Sequence, residues 1–329
     1  MSTPLTLDQL IEFGDLTELL REIDRLAARR DWDGLLALRD RARAAHERGK
    51  QLWPAAAHAE YRLALEAPGE LAGAVITEGA GRFAPGPLSE VAASTHTWAE
   101  LAPHLTAGPL LSITAHERIV RGDDLTSDDR VDALVLPLPL VLQNWEPSYP
   151  VANYRPDKAD FPMPTLPPPS DVELPAAPYA STTDADEALA LRSLVATWLT
   201  DSNGRSQAIA VEGSALSAIA ALGVTRARVA QITLADAMAV MSWAGASGGA
   251  AGRRRGMAWG RFVAWECAAE LAGVDIEDDV GGAADELRWH VWDTGTADTG
   301  WSLRLAVEDE EAGCAWALAA TDRAGSVVI

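Results

Sequence analysis

Apolar positions recur at intervals of three and four through the first 66 residues, the spacing of one helix face. Leu16, Leu19, Leu20, Ile23, Leu26 and Ala27 make one such stripe behind Asp15. Trp32, Leu35, Leu36, Leu38 and Ala42 make a second behind Asp31, with Gly49 placed to end it. Thr6 with Gln9, and Asp15 with Glu18, have capping-box spacing. A third helix is predicted over 51–66, with Pro54 in the first turn, where proline is tolerated. Shorter helical segments follow at 70–76, 88–93, 98–105 and 110–120, separated by Gly, Pro or Thr. Consecutive short helices on tight turns predict a helical-hairpin stack over 1–133, HEAT- or armadillo-like in shape although no sequence period is present.

The pattern breaks at 134–180, where twelve of the 19 prolines fall. Pro137 and Pro139 interrupt the apolar run 134–142, which rules out a regular helix or a central strand there. Trp145, Tyr149, Tyr154 and Phe161 argue for an extended connector docked by its rings. A polyproline ligand for a partner domain is the sharper alternative.

Beyond 181 the rhythm is mixed. A helix is expected over 184–200, then a strand at 207–211, a helix closed by Gly223, a strand at 228–232 and a helix over 234–244. That alternation suggests a small sheet, parallel in part. After a helix at 256–272, the segments 287–292, 302–307 and 315–320 alternate like antiparallel strands around Gly295, Gly300 and Gly313. In the first of these, Leu287, Trp289 and Val291 share one face, and Arg288, His290 and Trp292 the other. The fold class is therefore α+β, with a helical part at 1–133, a docked proline-rich connector at 134–180 and a mixed α/β domain at 181–329.

Charge narrows the list of partners. The net charge is -21, with 14 basic against 23 acidic residues in 1–150 and 13 against 25 in 151–329. Such a field repels nucleic-acid phosphates and anionic membranes, which disfavours both as partners. No apolar run is long enough to span a bilayer, and the start of the chain has no basic segment followed by an apolar one, so a cytoplasmic location is expected. Cys267 and Cys314 can form at most one disulfide, which is no secreted-type framework.

The most unusual local feature is GASGGAAGRRRGMAWGRF at 245–262. Glycine-rich backbone before a helix can present N–H groups to an anion, and Arg253, Arg254, Arg255 and Arg261 can grip a phosphate or carboxylate. Neither the Walker nor the dinucleotide fingerprint is present. The plainer alternative is close helix packing, with the arginines offsetting the carboxylates at 275–279. The histidines form no metal motif, so no metal or cofactor is expected. Ser214 lacks the GxSxG context and reads as a helix N-cap. The acidic clusters at 275–279 and 308–311 read as solvated turns. The twelve tryptophans read chiefly as core.

The runs WAGASGGAAGRRRGMAWGRFVAW, LRWHVWDT and GWSLRLAVEDEEAGCAWALAATD resemble an uncharacterised domain family of high-GC bacteria. The resemblance implies that the GRRRG and GW segments belong together, and it brings no activity, cofactor or catalytic residue. The leading expectation is a non-catalytic protein-interaction or scaffold protein with a protein partner. The second is a binder of a small anionic ligand, or an enzyme, that uses Arg253, Arg254, Arg255, Arg261 and His290, with His290 or Asp293 transferring protons.

Overall fold

The computed structural model describes residues 6–178, 180–296 and 300–323. The chain is α+β and divides into two compact units. The first contains residues up to Arg118 together with Asp128–Asp132 and Ala152–Asp160; the second contains Ile119–Ser127, Ala133–Val151 and the rest from Phe161. The proline-rich stretch is thus shared between them.

The first unit is built from α1 (Leu7–Phe13), α2 (Leu16–Arg29), α3 (Trp32–Glu47), α4 (Trp53–Glu66), α5 (Gly69–Ala74), α6 (Leu88–Ala93), α7 (Trp98–Leu101) and α8 (Pro109–Ile119). The caps are those the sequence spells out. Thr6 and Gln9 close a capping box, Asp15 accepts from Glu18 N at 3.1 Å and Asp31 from Gly34 N at 3.0 Å. The apolar stripe of α2 buries Leu19, Ile23 and Ala27, and that of α3 buries Leu35, Leu38, Ala42 and Ala45. Helix α4 carries ten buried residues because neighbours cover several of its faces. Its buried Arg62 is met by Asp24 of α2 and Glu66 of its own next turn. A short hairpin, β1 (Asn153–Arg155) and β2 (Lys158–Asp160), completes the unit. Tyr154 donates to buried Glu90 at 2.7 Å, and Tyr61 donates to the Arg155 carbonyl at 2.5 Å.

The second unit is a sheet with helices on both faces. Its elements are β3 (Ser170–Val172), α9 (Asp186–Ser193), α10 (Ala196–Thr200), β4 (Arg205–Glu212), α11 (Ala215–Ala221), β5 (Ala227–Ile232), α12 (Leu234–Ala246), α13 (Met257–Leu271), α14 (Val280–Asp285), β6 (Arg288–Asp293), β7 (Trp301–Asp309) and β8 (Cys314–Asp322). The strand order is β3-β5-β6-β7-β8-β4, and every pairing is antiparallel. The expected parallel pairing is therefore corrected. β4 and β5 are not neighbours: the β6–β8 meander inserts between them. The single helix expected over 184–200 is also two helices, broken at Leu194 and Val195.

Alternation along the strands gives each face its own core. Trp289, Val291, Leu303, Leu305, Trp316 and Leu318 pack with α9, α12 and α13. Ile209, Val211, Trp292, Ala306, Ala315 and Ala317 pack under α11. Ser214 caps α11 as expected, accepting from Ser217 N at 3.4 Å. Both cysteines are free.

The segment 137–151 lies along α13 and is fastened by one ion pair. Arg261 donates Nε to Glu146 Oε2 and Nη2 to Glu146 Oε1, both at 2.7 Å, and both side chains are 0% exposed. Arg261 also donates to the Pro139 carbonyl at 3.0 Å and the Val141 carbonyl at 3.4 Å. Tyr149, Trp265 and the Gln143 backbone N–H donate to the same carboxylate. The Trp145 ring is tilted against that of Trp265, centres 4.7 Å apart, and lies so close to Gly281 that no larger residue fits there. Burial alone would raise the Glu146 carboxyl, but the Arg261 bonds and charge outweigh it and hold the group below its usual range.

Removing one member of this pair strands a buried charge. Arg261→Met is expected to lower the unfolding free energy by about 3–5 kcal/mol in urea titrations. Because the Glu146 carboxyl is depressed, its contribution is present above the ordinary glutamate value of 4.5 and disappears as the pH falls through the folded value. The stability gap between the parent and Glu146→Gln is therefore expected to be constant at neutral pH and to shrink below about pH 4.5.

Candidate functional site

The first unit carries an aromatic shelf flanked by two cavities. Trp53 is the first residue of α4, and Pro54 follows it where a missing N–H costs nothing. Phe83 belongs to the turn between α5 and α6. That turn is pinned from below by Glu60 of α4, whose carboxylate accepts from Gly81 N at 2.6 Å and from Arg43 Nε of α3 at 2.5 Å. Gly81 has φ 61°, and a Cβ there would meet the Leu88 side chain, so the turn requires glycine. The result places the Phe83 ring 3.7 Å from that of Trp53 while leaving Phe83 54% exposed.

One cavity, of about 550 Å3, runs between this shelf and α3. Its polar side is formed by Arg43, His46, Glu47, Glu60, Glu78 and Arg82. The second, of about 230 Å3, lies on the other side of the rings and reaches His58, Tyr61, Pro156, Asp157 and Lys158. Trp53, Ala57 and Phe83 line both.

The linings combine aromatic rings with charged and titratable groups. Neither lining holds a Ser, Thr or Cys nucleophile. Burial lowers the His58 pKa against the opposing pull of Asp24, 3.6 Å away, so the imidazole is neutral near pH 7. Burial pushes the Tyr61 hydroxyl up to about 12, and its proton is already given to the Arg155 carbonyl. Apolar rings edged by a few charged groups, in a volume of this size, are the ordinary composition of a ligand pocket.

The residues singled out in the sequence lie elsewhere, in the second unit, and the structure does not bring them together. Arg261 is the buried partner of Glu146. Arg254 is buried with its guanidinium 4.7 Å from the Phe161 ring centre. Arg255 is exposed and lies over Trp259 at 5.3 Å, and Arg253 is exposed. His290 sits in β6 between Gln231 and Ala306, on the α11 side of the sheet, whereas Arg261 is on the α13 side. Burial lowers the His290 pKa. Asp293 is held by Arg228 in two bonds of 2.8 Å, which keeps its carboxyl below the usual range.

The glycine-rich backbone before α13 gives its N–H groups to the protein itself. Ala250 N donates to Asp322 at 2.6 Å, Gly249 N to Ser247 at 2.9 Å and Ala251 N to Ser202 at 3.0 Å. Asp322 is buried at the end of β8, opposite Trp301. Trp301 in turn stacks on Trp243 at 4.9 Å and meets Trp198 at 6.2 Å. The glycine-rich segment and the GW segment therefore meet in one tryptophan-lined core.

Sequence reasoning passed over Trp53, Phe83 and Glu60. The available signal was an aromatic residue inside the turn-rich run TEGAGRFAPG, where a large ring has no helix or strand to bury it.

The Glu60 anchor generates a test. Glu60→Ala orphans the Gly81 N–H and the Arg43 guanidinium together, and is expected to cost about 1–3 kcal/mol in thermal or urea unfolding. Glu78→Ala, at the cavity rim, is expected to change stability by less than about 0.5 kcal/mol.

Among comparisons with known proteins, no curated protein and no solved structure matches the chain. One family model does, over residues 17–324, which takes in both compact units. By that match the chain belongs to a family of unknown function (DUF6183).

Proposed function

We propose that the protein is a non-catalytic interaction protein that receives a partner protein on its helical unit, with an apolar side chain of the partner seated against Trp53 and Phe83. The observation that carries this reading is the half-exposed Phe83 ring, tilted against Trp53 with ring centres 3.7 Å apart, in a turn fastened by the buried Glu60 carboxylate. Rigid, partly exposed aromatic rings lose little entropy on contact, which is why they dominate interface energetics. No helix among the described residues is long and apolar enough to cross a membrane.

Affinity capture from the native host, repeated with Phe83→Asp, tests the proposal. A partner held by the parent is expected to be lost from the variant, whose stability falls by no more than about 1.5 kcal/mol. A variant that retains the same partner, or a parent that retains none, contradicts it.

A further inference from the structure

A different set of arginines converges at one end of the six-stranded sheet. Arg205 of β4 stands directly opposite Thr321 of β8, and Thr321 opposite Ser302 of β7. Arg205 and Thr321, together with the flanking Asn203 and Arg323, line a single cavity of about 450 Å3. Arg205 alternates with Ile209 and Val211, and Thr321 with Ala315 and Ala317, so the cavity opens on the face that α11 covers farther along.

All four side chains are hydrogen-bond donors, and among the described residues none has a hydrogen-bond or ion-pair partner. Other arginines of the unit are committed to carboxylates. Arg228 is paired with Asp293, Arg261 with Glu146 and Arg288 with Glu310. The carboxylate nearest in sequence, Asp322, is turned to the opposite face, where the Ala250 N–H takes it. Two guanidiniums therefore line one cavity, and among the described residues no carboxylate lines it with them, in a chain of net charge -21.

We infer that this cavity binds a phosphate group carried by a small molecule. Two guanidiniums match phosphate oxygens in bidentate fashion, and Thr321 and Asn203 add neutral donors for the remaining oxygens. A carboxylate, with two oxygens and one charge, would leave part of this set unused. The cavity is much larger than a bare phosphate and falls within the range of small-molecule sites. The inference concerns the second unit and stands independently of the Trp53–Phe83 proposal.

Calorimetric titration of the full chain with phenyl phosphate, inorganic phosphate and benzoate tests it. Phenyl phosphate is expected to bind, to weaken with added salt and to exceed benzoate by about tenfold. Inorganic phosphate binding as well as phenyl phosphate would support the site with the free ion as its ligand. Arg205→Gln and Arg323→Gln are each expected to weaken phosphate-group binding about tenfold. Both arginines are exposed, so the melting temperature should not change, and Arg205→Lys should retain part of the affinity. No heat with either phosphate probe up to about 10 mM, equal binding of benzoate, or parent-like binding by both glutamine variants would overturn the inference.

Discussion

The docking of segment 137–151 within the second unit depends on one buried ion pair, Glu146 with Arg261. A proline-rich segment cannot satisfy itself: it forms neither helix bonds nor a strand ladder, so its carbonyls need outside donors if they are to be buried. Arg261 supplies them. Its guanidinium donates four hydrogen bonds to the Glu146 carboxylate and the carbonyls of Pro139 and Val141, and Tyr149, Trp265 and Gln143 add to the carboxylate's shell. A charge pair that leaves water is worth having only when its remaining lone pairs and protons are met, and here they are. With the pair in place, Leu138 joins the main core and Tyr149 packs with Val120, Ala246 and Met257.

This arrangement decides what the charges of the chain are for. Several that look functional are structural: Arg261 and Glu146 hold the proline-rich segment, Glu60 holds the 77–86 turn, Arg62 ties α2 to α4, and Asp322 closes the glycine-rich loop. The two proposals rest instead on the Trp53–Phe83 shelf of one unit and the Arg205–Arg323 cavity of the other.

Local chemistry made much of the fold legible. Asp15, Asp31 and Ser214 act as the caps their positions announce, and the stripes of α2 and α3 face the core. Trp289 and Trp292 went to opposite faces of β6 by parity alone. Strand order was not legible, because β4 and β8 pair across more than a hundred residues and alternation along one strand says nothing about its neighbour. The hairpin at 153–160 and the edge strand β3 were hidden by surrounding prolines, which suit edges and turns. The surroundings of the arginine run were hidden for a related reason. Arg253, Arg254, Arg255 and Arg261 are close in sequence, but Arg261 lies in the interior of α13, and its partner Glu146 is 115 positions away. Arg205 and Arg323, far apart in sequence, became neighbours only through the β4–β8 register.

Hydrogen–deuterium exchange on the parent and on Arg261→Met addresses the role of the ion pair most directly. If Arg261 fastens the proline-rich segment, the amides of 141–151 lose protection in the variant by a factor of about 100 or more, while those of β7 and β8 keep most of theirs. Equal protection of 141–151 in the two proteins would contradict the account.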